Sequence, residues 1–400
     1  MIQNGIINSS VLLQTFNWNS SKHHNKSFFN HITNKSKFLK YLGIDGVWLP
    51  PCSKSVASEG YMPLDYYDLD SEYGNMNDLK TCIKTLHNDD IKVFADVILN
   101  HRCAEFQNEN GVYNVFGGKL PWDSTAIVKN DYKFQGEGNM SYQRLFNSAP
   151  NIDHSQSFVQ DDLIDWMLWL KHELLFDGFR FDYMIGMDPF IMKHYIEETN
   201  MNIYIGEYWN SMQYNNGTLN YNQDTHRQEI IDWIDNSGKY AHAFDITTKG
   251  ILQHVVESDE YWRLADKNNK PAGMIGWWKE KSITFLDNHD THIKSQNLWP
   301  FPTQYVIEGY VYILTHPGIP MIYCDDIMID SNHTFLIKSL IKIRKSYNIN
   351  NCSKVEIIIA NHEKYVANID NKILITLGEF DSSLVKSYIF KHNKALIQKI

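Results

Sequence analysis

Short runs of apolar, β-branched and aromatic residues alternate with longer stretches of helical period along most of this chain. That alternation limits the possible folds more than any other feature of the sequence. The runs are Leu12–Trp18, Gly46–Pro50, Lys92–Leu99, Gly178–Asp182, Asn202–Tyr208, His242–Ile246, Ser282–Asp287 and Pro320–Asp325, eight in all. Among the helical stretches, Gln156–Phe176 is the clearest. It carries Leu163, Trp166, Met167, Leu170 and Leu174 at spacings of three and four, one buried stripe. Ser155 and Ser157 are candidates for its N-cap. Helices over Phe28–Leu42 and Thr303–Leu314 are expected to stop at Gly43 and near Pro317-Gly318. Eight strands alternating with helices imply an α/β chain folded as a (β/α)₈ TIM barrel enlarged by insertions. A doubly wound sheet alternates too, and the pattern favours the barrel of the two.

Two stretches break the alternation. Asn100–Ile152 is rich in Gly, Asn, Asp and Tyr without a long helical period, which predicts an irregular subdomain inserted after the third strand. From Asn350 onward come short alternating runs, Val355–Ile359, Tyr365–Asn368, Lys372–Thr376, Val385–Phe390 and Ala395–Ile400, the pattern of a C-terminal antiparallel β domain. The expected division is a barrel over 1–100 and 153–348, an inserted subdomain over 101–152 and a β-sheet domain over 349–400. Tyr214-Asn215-Asn216-Gly217 reads as a loop.

Composition narrows the partners. A net charge of −10 argues against a nucleic-acid ligand, which needs concentrated Lys and Arg. No stretch approaches the roughly 20 uninterrupted apolar residues of a membrane span. Met1-Ile2-Gln3-Asn4-Gly5 carries neither a basic nor an apolar leader region, so the expectation is a cytoplasmic protein with no membrane partner. Five scattered cysteines, Cys52, Cys82, Cys103, Cys324 and Cys352, read as reduced thiols.

Three acids stand at predicted strand ends: Asp182 after Gly-Phe-Arg-Phe, Glu207 after Ile-Tyr-Ile-Gly, and Asp290 after Leu-Asp-Asn-His. In a barrel these ends converge on one face. A lone Asp at a strand end is usually a cap or a loop hydrogen-bonder. Three together, with His101, Arg180 and His289 beside them, resist that explanation. Paired carboxyl groups suit glycosidic cleavage, one as proton donor with a raised pKa and the other as nucleophile or base. Arg180 lies two residues before Asp182, on the same side of the strand, where its charge favours a carboxylate. A metal site built from His101, His289, Asp290 and His292 is the rival reading, and no His-x-x-x-His spacing supports it.

At these residues the sequence resembles the α-amylases of glycoside hydrolase family 13, most closely the plant-type members. Four segments carry the likeness in order: Asp96-Val97-Ile98-Leu99-Asn100-His101, Gly178-Phe179-Arg180-Phe181-Asp182, Ile205-Gly206-Glu207-Tyr208-Trp209 and Phe285-Leu286-Asp287-Asn288-His289-Asp290-Thr291. Leu13-Gln14-Thr15-Phe16-Asn17-Trp18, Glu59-Gly60-Tyr61-Met62-Pro63 and Trp299-Pro300-Phe301-Pro302 extend it. The resemblance implies a monomeric, retaining endo-hydrolase of α-1,4-glucosidic bonds in starch, glycogen or maltooligosaccharides. Asp182 would be its nucleophile, Glu207 its acid/base and Asp290 its transition-state stabiliser. Tyr61, His101, Arg180, His289 and Trp209 would contact the sugar.

Two departures stand out. The family usually places Lys or Arg three residues after the nucleophile, on the leaving-group side; here it is Ile185. The family also ties its inserted subdomain to the barrel with calcium, a hard cation needing oxygen ligands. Asn100, Asp131 and the Gly186 carbonyl match ligand positions, whereas three plant Asp positions are Ser141, Leu145 and Asn151. Calcium is therefore a possible cofactor with a degraded ligand set. Glucan-chain transfer and glucan binding without catalysis are the alternatives to hydrolysis. Trp277-Trp278 reads as packed core rather than an auxiliary glucan platform.

Overall fold

A computed structural model describes residues 8–293, 299–328, 331–383, 385 and 387–400. Eight parallel strands close into a barrel: β1 (Leu12–Gln14), β2 (Gly46–Trp48), β3 (Lys92–Val97), β4 (Gly178–Phe181), β5 (Ile203–Gly206), β6 (His242–Phe244), β7 (Ser282–Thr284) and β8 (Ile319–Tyr323). Neighbours in sequence are neighbours in space, and β1 closes the ring on β8 through Leu12 opposite Met321. The doubly wound alternative is excluded by that closure. Every barrel strand residue is buried except half-buried Lys92, because the ring packs side chains inside and helices outside. Glycine makes room where the two layers approach most closely. A Cβ on Gly206 would lie 2.0 Å from the Trp233 ring of the helix Asp224–Asn236.

All eight strands fall inside the runs read from sequence or within one residue of them, but they are shorter, since several of those runs continue into the loops at the C-terminal face. The helix Phe28–Leu42 ends as expected, with Gly43 left-handed at φ 91°. The long helix runs Ser157–Glu173, and neither Ser155 nor Ser157 caps it. Gln156 occupies the N-cap without a side-chain bond, while Ser155 is drawn back to the Asp153 carboxylate (2.6 Å).

Between β3 and the helix Ser157–Glu173, the segment after Asn100 holds only two short strands, Phe106–Gln107 and Tyr113–Val115, and two 3₁₀ turns. The C-terminal sheet follows as β9 (Val355–Ala360), β10 (Lys364–Ile369), β11 (Ile373–Gly378), β12 (Phe390–His392) and β13 (Ala395–Lys399), ordered β9-β10-β11-β13-β12. The fourth strand corrects the expected Val385–Phe390. Register set by β13, with Phe390 opposite Ile397, starts the strand where the sequence run was expected to end. Tyr214–Asn215 also differs from expectation, pairing with Thr218–Leu219 as a hairpin around Asn216 and Gly217, both at positive φ. All five cysteines are free thiols.

Candidate active site

The floor of the site is one guanidinium. Alternation along β4 sends Arg180 and Asp182 to the same side, and Arg180 has no exposed surface. Its Nη1 donates to Asp182 Oδ1 (2.7 Å) and to Asp96 Oδ1 (2.8 Å), which pairs with it across the β3–β4 register. Its Nη2 lies 3.1 Å from Glu207 Oε2 at the end of β5. Asp96 Oδ2 in turn accepts from the Tyr61 hydroxyl (2.7 Å) and Trp48 Nε1 (3.0 Å). Three adjacent strand ends are thereby locked through one cation.

Tyr183, just past Asp182, adopts a left-handed conformation with φ 55° and ψ 45°. This conformation is unfavourable for a bulky residue. It aims the Tyr183 N–H at Glu207 Oε2, 3.0 Å away.

The electrostatics separate the acids. Burial pushes Glu207 well above the usual carboxylate range; Arg180 opposes this, and the Asp182 and Asp290 charges add to it. Burial also raises Asp290 to about 7, against Arg180 and helped by Asp182 and Asp96, with Glu207 hydrogen-bonded to it. Asp96 is raised to about 6 by burial, again opposed by Arg180. His101 and His289 are both lowered by burial and so stay uncharged at neutral pH. Gln14 Nε2 meets His289 Nδ1 at 3.0 Å. With the amide donating, the imidazole proton sits on Nε2, 3.3 Å from Asp290.

Above this floor lies a cleft of about 610 Å³. Asp182, Glu207, Asp290, Tyr61, His101, His289 and Trp209 all line it, with Arg180 beneath, so the structure gathers every sequence-predicted catalytic and sugar-contacting residue. His101 is held by the Tyr61 carbonyl (2.9 Å) and stacks on Phe146, ring centres 3.9 Å apart. Tyr61, Trp18 and His289 form a triangle of near-parallel rings, with centroids 6.1 Å (Trp18–Tyr61), 4.9 Å (Tyr61–His289) and 6.0 Å (Trp18–His289) apart.

Sequence reasoning missed several lining residues. Trp18, Arg144, Phe146 and Trp299 all face the cleft, and Trp299 meets Trp209 edge-on at 6.2 Å. Trp18 and Trp299 lie within the segments that carry the resemblance, which was a usable signal; Arg144 and Phe146 carry none. Ile185 also lines the cleft. Trp277, expected in the core, is 38% exposed, with the Arg227 guanidinium 3.5 Å from its ring centre, while Trp278 packs against the core.

The rival metal reading loses its geometry. His292 turns to Tyr323 and to Asp325, 3.8 Å away. Among the described residues no group of three His, Cys, Asp or Glu side chains converges as metal ligands. Asn100, Asp131 and Gly186 do come together beside the cleft. A Cβ on Gly186 would lie 2.2 Å from Asn100 Oδ1, and Asp131 is tied to Asn151.

The family description "Alpha amylase, catalytic domain" matches residues 15–231. The chain belongs to the α-amylase family. It is 44% identical to "Alpha-amylase 3, chloroplastic" of Arabidopsis thaliana, over 92% of this chain and 41% of that one. It is 42% identical to "Probable alpha-amylase 2" of the same plant, over 92% of this chain and 88% of that protein. This α-amylase-family chain thus spans less than half of the first relative and most of the second. Among solved structures it is similar to an α-amylase from Geobacillus thermoleovorans complexed with acarbose (TM-score 0.65, 19% identity, 92% of this chain and 86% of that chain). It is also similar to a cyclomaltodextrin glucanotransferase of three-domain ABC arrangement (TM-score 0.72, 18% identity, 98% and 97%). These likenesses speak for the fold: a barrel with a C-terminal antiparallel sheet. Membership makes the chain a glycoside hydrolase of the α-amylase type. No helix among the described residues is long and apolar enough to cross a membrane.

Proposed function

We propose that this chain hydrolyses internal α-1,4-glucosidic bonds of starch- or glycogen-type glucans with retention, Asp182 acting as nucleophile and Glu207 as acid/base. The observation that carries the proposal is the Arg180 guanidinium, 2.7 Å from Asp182 and 3.1 Å from Glu207. It fixes both carboxyl groups on one short span, and retention needs them about 5–5.5 Å apart.

The proposed steps follow from the chemistry of each group. An Asp182 oxygen attacks the anomeric carbon while the bond to the leaving oxygen breaks, and Glu207 gives that oxygen its proton. Burial and neighbouring negative charge keep the proton on Glu207 until then. Water then gives a proton to Glu207 and attacks the same carbon, releasing Asp182. Asp290, hydrogen-bonded to Glu207, supports the positive charge that develops on the sugar. Tyr61, held by Asp96, offers a ring face to the sugar, and His101, Arg180, His289 and Trp209 complete the contact surface. The catalytic barrel in this proposal comprises 1–100 and 153–348, overhung by 101–152 and followed by the sheet domain 349–400.

Release of reducing ends from soluble starch by wild type and Glu207→Gln tests the assignment. A loss of about 10³-fold or more in the variant, with an unchanged melting temperature, is expected. A wild type that binds glucan and never cleaves it would sink the proposal. Ile185 favours a second reading, transfer of glucan chains, because an apolar wall on the leaving-group side suits a sugar acceptor better than water. Disproportionation of maltooligosaccharides into longer chains would identify it.

A further inference from the structure

The α-amylase family's calcium must be matched to the residues that stand at its ligand positions here, and they do not fit it. Calcium takes six to eight oxygen ligands, with carboxylates offsetting its charge. Of the positions matched in sequence, Asp131 alone supplies a carboxylate. Leu145 has an apolar side chain, and Ser141 is engaged elsewhere through main-chain bonds to Asn130, at 2.9 Å in each direction. The decisive residue is Asn151, which is 3% exposed. Its Nδ2 donates to Asp131 Oδ2 (2.7 Å) and to the Phe146 carbonyl (2.8 Å), and its main-chain N–H reaches the same Asp131 oxygen at 3.0 Å. Its Oδ1 accepts from the Phe146 N–H (2.7 Å) and lies 3.4 Å from Asn100 Nδ2. Both amide hydrogens and the amide oxygen are thus used. N–H groups point at the one carboxylate that would have to face a cation.

We propose that the Asn151 side-chain amide stands in for the metal, holding the inserted segment to the barrel by hydrogen bonds and freeing this chain from calcium. The position is suited to the task. The Asn151 main chain bridges to His101, and its carbonyl accepts from Val128 N–H (3.0 Å); next door, Ile152 N–H donates to the Asn100 carbonyl (3.0 Å). Both ends of the insertion and its central turn therefore meet at this residue. Arg102 adds a second metal-free clamp, donating to the carbonyls of Leu64 (3.0 Å), Leu120 (2.7 Å) and Gly117 (2.8 Å).

The test uses the full chain, melted and assayed on soluble starch in millimolar CaCl₂ and in excess EGTA. The wild type is expected to melt within about 1 °C in the two buffers and to keep its rate within about twofold. A wild type stabilised by calcium by about 5 °C or more, or inactivated by EGTA, overturns the proposal. In Asn151→Asp two carboxylates face each other at hydrogen-bond distance, and their repulsion creates the need for a cation. This variant is expected to melt several degrees lower in EGTA and to recover as calcium is titrated in. A variant as stable as wild type in EGTA and indifferent to calcium overturns the proposal. Should Asn151→Asp not fold, Asp131→Asn supplies the second arm. Loss of stability to the same extent in both buffers supports an amide clamp, and loss confined to the calcium buffer refutes it.

Discussion

The floor of the cleft and the segment that overhangs it are each built around a fully buried arginine, and the two guanidiniums are satisfied in opposite ways. Arg180 is surrounded by Asp96, Asp182 and Glu207, and these carboxylates hold its charge firmly despite burial. Arg102 gives its hydrogen bonds to neutral carbonyls, with the rings of Tyr66, Phe116 and Trp122 about its guanidinium at 5.4, 5.1 and 5.0 Å; burial lowers its pKa, and the more distant Asp65, Asp162 and Glu105 charges only partly oppose this. The same side chain serves two purposes. Where acids must crowd together for chemistry, arginine is there for its charge. Where irregular backbone must be tied down, it is there for its fork of donors, which spans several carbonyls at once.

Breaking the charge-bearing region should have the largest effect. Asp182→Asn keeps a hydrogen-bond partner for Arg180 but removes the proposed nucleophile, and kcat on starch should fall about 10⁴-fold. Rate measurements at saturating substrate check it, and retention of a tenth of the activity would contradict the assignment.

Breaking the backbone clamp should cost stability instead. Arg102→Met strands three buried carbonyls, a penalty of about 3–5 kcal/mol, read as a lower melting temperature. Arg102→Lys should recover little of it, because a single ammonium cannot span the fork. Full recovery by lysine would mean that charge matters there too, and the contrast with Arg180 would collapse.

A smaller effect sharpens the electrostatic half. In its proposed role Glu207 must carry its proton, so kcat/KM should fall as pH rises through its elevated pKa. Asp290 helps to raise that pKa, and Asp290→Asn should therefore move the alkaline limb to lower pH. A limb that stays in place would assign it to another group. The least change is expected from Trp18→Leu, which takes one ring from the Trp18–Tyr61–His289 cluster. KM should rise about 5–10-fold with kcat nearly constant.

Much of this was legible in the sequence because the informative residues sit on or beside strands. Asp182, Glu207 and Asp290 follow directly from strand ends in a barrel, and the eight runs locate the strands. The irregular segment was visible only as an interruption. Arg144 and Phe146 reach the cleft through loop paths fixed by bonds such as Asn151 to Phe146, which no periodicity encodes. Asn151 appeared in the sequence as a lost carboxylate. Its role as a donor depends on Asp131 and Phe146 arriving from 20 and five residues away. Phe390 was misjudged because β12 is edge pairing, set by its partner β13 more than by its own alternation.

The left-handed turn at Tyr183 has a geometric result. The residue following Asp182 donates its own N–H to Glu207, so a single peptide unit acts as the gauge between the proposed attacking and protonating groups. That gauge does not depend on the side chains that line the cleft, because main-chain hydrogen bonds between the two strand ends set it: Glu207 N–H to the Phe181 carbonyl (3.0 Å) and Met184 N–H to the Glu207 carbonyl (2.9 Å).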